Sequence, residues 1–266
     1  MKLGIIGCGN MGEAILKGVL ERKLFSTSHT FISDISKERL SYIREEYGVN
    51  ITRSNKEVVE KASVILLAVK PQEMNFLLEE IKSEWREDKL AISIAAGVKI
   101  SKILEKLGRA KVVRVMPNLC VKVKKGITAM ASSSNVDERS KEVARKVFSS
   151  IGEVVEVEER LMDAVTALSG SGPAYVFYFL ESLVEAGVTL GFPPSLAYLF
   201  SFKTLEGAVE LLKGEESPAT LRKRVTSKGG TTEKALKYLE EKKFKEIVKE
   251  ALEKAYLRSK ELSEKY

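Results

Sequence analysis

Residues 2–12 read KLGIIGCGNMG, and this stretch decides the fold. A short apolar run leads into the glycine-rich hexapeptide GCGNMG, and an amphipathic segment at residues 13–22 follows directly. This order of strand, glycine turn and helix is typical of a dinucleotide-binding unit. Gly7 would permit the tight turn, Gly9 would leave the backbone open to a pyrophosphate, and Gly12 would let the helix pack close to the strand. We therefore expect phosphates at the positive end of this helix; the alternative is a glycine turn that packs without a ligand.

The size and composition of the chain fit one large or two ordinary domains, with 266 residues of which 44% are hydrophobic. The first strand would begin at residue 3, without the basic and apolar segments of a targeting peptide. The apolar run at residues 174–180 is far shorter than the roughly 20 residues that span a membrane. We therefore expect a cytoplasmic protein with no membrane partner.

Residue types that several chemistries require are scarce. The single histidine, His29, lies in a polar stretch before the second expected strand, and Cys8 and Cys120 share no metal-type spacing. A histidine-centred dehydrogenase, a Ser-His-Asp hydrolase or a histidine-rich metal site is therefore hard to build from this chain. We expect no metal site.

The net charge of +7 raises the question of a nucleic-acid partner. Basic residues are mixed with acidic ones, as in EEKK at residues 240–243, and they form no basic block with interleaved aromatics. Solvated helix faces explain this pattern better, so we expect no nucleic acid to bind.

Apolar runs and helical patterns alternate through the first part of the chain. We expect strands at residues 3–6, 30–34, 63–69, 90–96, 111–116, 126–131 and 153–157, with helices between most of them. This order predicts a mostly parallel sheet with helices on both faces. After residue 159 only helical patterns follow. The fold class is therefore α/β, with a Rossmann-type dinucleotide-binding domain at residues 1–159 and an all-α domain at residues 160–266.

The helical pattern that follows Pro173 is apolar on several sides, at Val176, Phe177, Phe179, Leu180, Leu183 and Val184. Such a helix requires burial on more than one side. The short all-α domain hardly supplies that burial alone, so we expect it to form the interface of a homodimer.

Asp34 follows the second expected strand and lies 22 residues after Gly12, where an acid often accepts the ribose 2′-hydroxyl of NAD. Hydroxyl and cationic side chains that suit a 2′-phosphate surround it, namely Ser33, Ser36, Lys37 and Arg39. These residues leave NAD and NADP open. The alternative role for Asp34 is a turn residue at the entry to the next helix.

Other candidate contacts follow the expected strands. Asn55 stands in the helix-start motif at residues 54–57, where it could cap the helix or touch the adenosine end of a cofactor. Lys70 follows a buried strand, where it could contact a phosphate or remain a solvated loop lysine. The small residues at 95–97 would let a nicotinamide ribose approach the backbone.

Two glycine-rich stretches interrupt the helical patterns, although a helical glycine costs about 1 kcal/mol relative to alanine. The first, LSGSGPA at residues 168–174, leaves room for a flat ligand or for a kink where helices cross. The second, VTSKGGTTE at residues 225–233, enters a helix. Free N–H groups of Gly230, Thr231 and Thr232 would bind a carboxylate there, and the alternative is that Thr231 or Thr232 simply caps the helix.

The motifs as a set resemble one family. The stretches DAVTALSGSGPAYV at residues 163–176 and SPATLRKRVTSKGGTTEKAL at residues 217–236 look like pyrroline-5-carboxylate reductase, the last enzyme of proline biosynthesis. The resemblance spans nearly the whole chain in family order, with GCGNMG at 7–12, AVKP at 68–71, SIAAG at 93–97 and MPN at 116–118.

The resemblance implies an enzyme that reduces 1-pyrroline-5-carboxylate to L-proline with NADPH or NADH. It also implies a helical domain that interlocks into a homodimer, in some members within a larger ring of dimers. Family members often lack an acid at the position of Asp34, so the preference between NADP and NAD stays open.

The residues and the resemblance together predict the site. The cofactor, NADP or alternatively NAD, would be bound by Gly7, Cys8, Gly9, Asn10, Met11, Gly12, Ser33, Asp34, Lys37, Asn55, Ala68, Val69, Lys70, Pro71, Ala95, Ala96, Gly97 and Asn118. The small-molecule substrate would be held by Ser171, Ser227, Gly229, Gly230, Thr231 and Thr232. The catalytic residue would be Thr232, near the ring nitrogen.

A positioning mechanism agrees with the lack of a histidine acid. A protonated cyclic imine already accepts hydride strongly at its C=N carbon, so the protein mainly has to orient the two reactants. A hydroxyacid dehydrogenase is the nearest alternative, with Lys203 as the only plausible catalytic lysine. A nucleotide-sensing or nucleic-acid-binding protein without catalysis is a more distant one.

Overall fold

A computed structural model describes residues 1–265 as eight strands with helices between and after them. The strands are β1 (Leu3–Ile6), β2 (Thr30–Ser33), β3 (Asn50–Thr52), β4 (Val64–Leu67), β5 (Leu90–Ser93), β6 (Lys111–Met116), β7 (Gly126–Ser132) and β8 (Gly152–Glu156). The α-helices are α1 (Asn10–Glu21), α2 (Lys37–Tyr47), α3 (Asn55–Lys61), α4 (Pro71–Ile81), α5 (Ile100–Leu107), α6 (Glu138–Ser149), α7 (Met162–Val165), α8 (Gly172–Thr189), α9 (Pro194–Leu211), α10 (Pro218–Arg224), α11 (Thr231–Glu241) and α12 (Phe244–Lys265).

All eight strands form one sheet in the order β3-β2-β1-β4-β5-β6-β7-β8. Neighbouring strands are parallel except β6 and β7, which are antiparallel. Strands β1, β4 and β5 are buried along their whole length because apolar clusters cover both faces of the sheet. The predicted mostly parallel sheet with helices on both faces is confirmed, as is the all-α second half.

The strand order reverses at β1, which lies between β2 and β4. The crossover from β1 leads to one side of the sheet, and the later crossover from β3 leads back to β4 on the other side of β1. In open α/β sheets the crevice at such a reversal lies at the carboxyl ends of the strands and receives ligands.

Two details of the strands differ from the sequence expectation. Strand β3 is not among the expected strands, because this three-residue strand, which pairs with β2 at the edge of the sheet, is too short to show a period. Strands β4 and β5 end at Leu67 and Ser93, earlier than expected. The residues after them leave the sheet and form loops at its carboxyl edge.

The chain divides into two compact units, residues 1–171 together with the end of the chain from Ala255, and residues 172–254. The turns after β8 belong to the first unit because Met162 is fully buried in one of its apolar clusters. The boundary expected at residues 159 and 160 marks the change from strands to helices, and it stays a prediction.

Hydrogen bonds in the first unit explain why the end of α12 belongs there. The Asp163 carboxylate accepts hydrogen bonds from Ser259 Oγ at 2.8 Å and from Ser263 Oγ at 2.7 Å. These two serines are 5% and 2% exposed. The same helix lies against the turn after β5, since a Cβ on Gly97 would be only 3.3 Å from Ser263 N.

The second unit exposes much of its apolar surface. Within the described chain, α8 has no buried residue and α9 has only Ala197. Phe177 and Phe200 are 52% and 59% exposed. Among the described residues, no helix is both long enough and apolar enough to cross a membrane.

Replacing Asp163 by alanine should destabilise the first unit. Two buried serine hydroxyls would lose their shared acceptor, which should lower the free energy of unfolding by about 2 kcal/mol. Urea unfolding at fixed protein concentration measures the change. Ser83→Ala, which alters an exposed hydroxyl bonded to its neighbour Glu84, is the matched control. Equal stability of the two variants would contradict this role.

Candidate functional site

The glycine turn has the geometry that its sequence requires. Gly7 adopts φ +83°, and a Cβ there would be 2.9 Å from the Ala68 carbonyl oxygen. A Cβ on Gly12 would be 2.7 Å from the Gly7 carbonyl oxygen, so only glycine lets α1 begin this close to the strand. A Cβ on Gly9 would meet no atom of the described chain within 4 Å. Gly9 therefore faces open space and is free to approach a ligand.

Arg39 links the glycine turn to Glu13. Its Nε donates to the Cys8 carbonyl oxygen at 2.6 Å, and its terminal nitrogen lies 2.5 Å from the Glu13 carboxylate. Tyr42 and Tyr47 donate to the other oxygen of Glu13 at 3.0 and 2.9 Å. Partial burial raises the pKa of Glu13, but the hydrogen bonds from Arg39 and the two tyrosines outweigh it and hold this pKa below its usual value. Glu13 is therefore ionised and fixes Arg39 in place.

Asp34 joins two turns at the carboxyl edge of the sheet. One carboxylate oxygen accepts from Cys8 N at 2.8 Å, and the other accepts from Ser36 N at 3.0 Å. The second bond is the turn role expected as an alternative, and the first ties β2 to the glycine turn. Burial raises the pKa of the Cys8 thiol to about 12, so Cys8 contributes its backbone groups and an inert side chain.

Three of the four polar side chains expected around a 2′-phosphate make hydrogen bonds within the protein. Ser33 is buried and donates to Asn55, and Ser36 caps α2 by accepting from the backbone N–H of Arg39. Arg39 itself binds the glycine turn. Lys37 is exposed and makes no recorded hydrogen bond or ion pair among residues 1–265.

The expectation that Asn55 could cap α3 is wrong. Ser54 is the cap, since its side chain accepts from Glu57 N at 3.2 Å. The Asn55 amide oxygen accepts from Ser33 Oγ at 2.8 Å, and its amide nitrogen donates to Glu80 at 2.9 Å. Asn55 therefore has a fixed amide orientation and is left to line the site.

An open cleft of about 440 Å³ lies at the carboxyl ends of β1, β2 and β4. Seven predicted cofactor residues line it, namely Gly7, Gly9, Asp34, Asn55, Ala68, Val69 and Lys70. Six further lining residues were not expected from the sequence, namely Ile6, Ile35, Glu73, Phe76, Leu77 and Glu80.

Two of the missed residues are apolar and almost fully solvated. Ile35 is 85% exposed and Phe76 is 82% exposed. Phe76 lies off the buried stripe of α4, which is formed by Met74, Leu77, Leu78 and Ile81. An aromatic residue on the polar face of an amphipathic helix was the signal that could have identified it.

The remaining predicted cofactor residues lie elsewhere in the first unit. Some belong to the glycine turn and its flanks without lining the cleft, namely Cys8, Asn10, Met11, Gly12, Ser33, Lys37 and Pro71. Ala95, Ala96 and Gly97 follow β5, next to β4 in the sheet, and Gly97 adopts φ +77°. Asn118 follows β6 and donates to Ser169 Oγ at 3.2 Å. Ala95, Ala96, Gly97 and Asn118 therefore do not line the cleft.

The first glycine-rich interruption forms a π-helical turn at Thr166–Gly170. A Cβ on Gly170 would be 2.5 Å from Met116 Cε, so the glycine lets this turn pack against the end of β6. The glycine therefore packs against the end of a strand, and the two roles expected for this stretch, room for a flat ligand or a kink where helices cross, stay predictions. Ser171 follows the turn, and its N–H bonds the Thr166 carbonyl at 2.9 Å.

The second interruption differs from expectation in two respects. Gly230 is the N-cap of α11, so neither Thr231 nor Thr232 is the cap. The Gly230 N–H is not free, because it donates to the Ser227 carbonyl at 3.0 Å. The Gly229 N–H donates to the Glu233 carboxylate at 2.6 Å. Within residues 1–265, the amides of Thr231 and Thr232 have no recorded acceptor, so they are the ones left for an anion.

Two family models match the chain. The model described as pyrroline-5-carboxylate reductase dimerisation matches residues 159–262, and the one described as NADP oxidoreductase coenzyme F420-dependent matches residues 2–97. The pyrroline-5-carboxylate reductase of Synechocystis is 39% identical over 266 residues, which cover 100% of this chain and 99% of the relative. The chain belongs to the pyrroline-5-carboxylate reductase family.

Solved structures support the same assignment. A Plasmodium falciparum pyrroline carboxylate reductase with NADP bound is 35% identical with a TM-score of 0.89, covering 99% of this chain and 98% of that one. The pyrroline-5-carboxylate reductase of Coxiella burnetii is 36% identical with a TM-score of 0.91, covering 98% of both chains. Members of this family reduce 1-pyrroline-5-carboxylate to L-proline, so the predicted family, fold class and reductase activity are confirmed.

Membership of the pyrroline-5-carboxylate reductase family also settles two other expectations. The dimerisation model covers the apolar helices α8 and α9, so this reductase carries the family's dimerisation domain. The alternative of a hydroxyacid dehydrogenase is wrong. Lys203, its proposed catalytic residue, lies 2.5 Å from the Glu206 carboxylate in an exposed ion pair.

Two glycine substitutions in the turn should separate folding from cofactor binding. Gly12→Ala should lower stability by about 1–3 kcal/mol, because its Cβ would overlap the Gly7 carbonyl. Gly9→Ala should leave stability unchanged but weaken NADPH binding by roughly tenfold or more, about 1.4 kcal/mol. Thermal unfolding and NADPH fluorescence titration measure the two effects. Equal NADPH affinity of Gly9→Ala and the unmodified protein would contradict the role of Gly9.

Proposed function

We propose that this reductase binds NADP(H) along the cleft, with the pyrophosphate at the N-terminus of α1. The observation that carries the proposal is the open space at Gly9, which a Cβ would fill, beside a helix start without a side-chain cap. Its amides can donate to phosphate oxygens in the field of the helix dipole. The residues present therefore fit the dinucleotide.

The adenosine end of the cofactor would lie against Asp34 and Asn55, with Ile35 and Phe76 offering apolar surfaces to the adenine. These four residues line one cleft, and the two apolar ones are otherwise solvated. Covering exposed apolar surface with a flat aromatic base is favourable. Lys70, also in the lining, would contact a phosphate.

The nicotinamide end would extend towards the loops after β5 and β6. Ala95, Ala96 and Gly97 present little side chain, and Asn118 has an amide held by Ser169. When bound, the reduced nicotinamide supplies the hydride. The role of the chain there is to keep the ring at a fixed position and angle.

The substrate would be held by the turn that enters α11. The amides of Thr231 and Thr232 would donate to its carboxylate, since the neighbouring amides of Gly229 and Gly230 already have acceptors. Ser227, in the same turn, would contribute a further polar contact. The Thr232 hydroxyl would hydrogen-bond the ring nitrogen as it changes from a protonated imine to an amine.

The dimerisation domain supports a homodimer as the working assembly, and exposed apolar side chains on α8 and α9 supply the surface for it. A larger ring of dimers and a cytoplasmic location remain predictions.

The function is tested by adding 1-pyrroline-5-carboxylate to the purified protein with NADPH or NADH. Oxidation of the cofactor, followed by its absorbance, should depend on this imine and should not occur with 3-oxo acids, which a hydroxyacid dehydrogenase would reduce to 3-hydroxy acids. NADPH oxidation with a 3-oxo acid but not with the imine would contradict the proposal. Binding of NADPH without turnover of either substrate would favour a sensing role.

Thr232→Ala should lower kcat/KM for the imine by roughly tenfold or more, about 1.4 kcal/mol, because the hydrogen bond to the reacting nitrogen is lost. Thr232→Ser keeps the hydroxyl and should restore most of the activity. NADPH affinity should be the same in both variants. Unchanged kinetics of Thr232→Ala would rule out this role of Thr232.

A further inference from the structure

The cofactor cleft carries more acidic than basic side chains. Its charged lining residues are Asp34, Glu73 and Glu80 against the single cation Lys70. Two of the acids, Asp34 and Glu80, are linked through the hydrogen bonds of Ser33 and Asn55. Asp34 follows Ser33 directly, and Ser33 donates to Asn55, which donates to Glu80. The carboxylate of Glu80 is therefore fixed beside the residues proposed to contact the adenosine ribose.

Most of the nearby cations and hydroxyls that could offset the negative charge of these acids already bind other groups of the protein. Arg39 is bound to Glu13 and to the Cys8 carbonyl, behind the glycine turn. The hydroxyl of Ser36 accepts from the backbone of α2 and donates to Glu38. Lys37 is the one cation of this segment that no recorded bond within residues 1–265 ties down.

We propose that Glu80 is a specificity-determining residue that lowers the affinity for NADPH relative to NADH. This inference rests on the proposed cofactor site. A 2′-phosphate beside Asp34 and Glu80 meets two like charges, and the cations left to offset them are Lys70 in the lining and the exposed Lys37. A 2′-hydroxyl can donate to a carboxylate at no such cost. Glu80 would therefore restrain the preference of the chain for the phosphorylated cofactor.

Glu80→Gln tests this role, because glutamine keeps an oxygen that can accept from Asn55 and removes only the charge. The full-length protein is titrated with NADPH and with NADH, and binding is followed by the fluorescence of the reduced nicotinamide. NADPH affinity should rise by about fivefold or more, as expected for removing one close like charge in a solvated cleft. NADH affinity should change less than about twofold, and the gain for NADPH should shrink as salt is added.

The matched control is Glu79→Gln. Glu79 precedes Glu80 on α4, pairs with Lys82 and Lys106, and does not line the cleft. Glu79→Gln makes the same change in net charge as Glu80→Gln. Because Glu79 does not line the cleft, the substitution should leave both affinities unchanged. A second variant, Lys37→Gln, should weaken NADPH binding by about fivefold or more while leaving NADH binding unchanged.

An unchanged ratio of NADPH to NADH affinity in Glu80→Gln would overturn the inference while leaving the cofactor site intact. An equal gain in Glu79→Gln would also overturn it, since the effect would then come from net charge. If Glu80→Gln does not fold, Lys37→Gln serves as the test. An equal loss of affinity for NADPH and NADH in that variant would then overturn the inference. Failure of the unmodified protein to bind either dinucleotide would contradict the proposed cofactor site itself.

Discussion

The close contact between the start of α1 and the end of β1 is the constraint on which the rest of the structure depends. Gly12 packs its Cα against the Gly7 carbonyl, where any Cβ would overlap the oxygen. The Gly7 N–H bonds Ser33 O at 2.9 Å, and Ala68 N bonds Ile6 O at 2.8 Å. The turn is therefore fixed to β2 on one side and to β4 on the other. The cleft lies at the carboxyl ends of these three strands, beside the turn.

The peptide at Cys8 is held from two directions by opposite charges. Asp34 accepts its N–H, and Arg39 donates to its carbonyl. Glu13 in turn holds Arg39, so the charges form a connected set. Side chains that fix the turn in this way are less available to a ligand. The hydrogen bonds that order the glycine turn therefore also leave fewer side chains to contact a 2′-phosphate at the proposed cofactor site.

Structural features that depend on a few consecutive residues could be predicted from the sequence. The hydrogen-bond partners of individual side chains could not. The glycine roles follow from steric rules over six residues, so GCGNMG identified the first turn correctly. Ser54 and Asn55 are adjacent and both cap helices well, so propensity alone could not choose between them. The position of Asp34 was evident, but its bond to Cys8 depends on how two loops meet. Asp163 and Ser259 are 96 residues apart, and no local period connects them.

The apolar helices of the second unit link assembly to function. An 18-residue helix without a buried residue in the single chain, as in α8, gains little of the tertiary packing from which helices draw most of their stability. Burial against a second chain supplies that packing, as the dimerisation domain implies. The turn at residues 225–233 lies in the same compact unit as α8. We therefore expect association to order this turn, and the carboxylate binding proposed for the amides of Thr231 and Thr232 would then require a unit that the dimer stabilises.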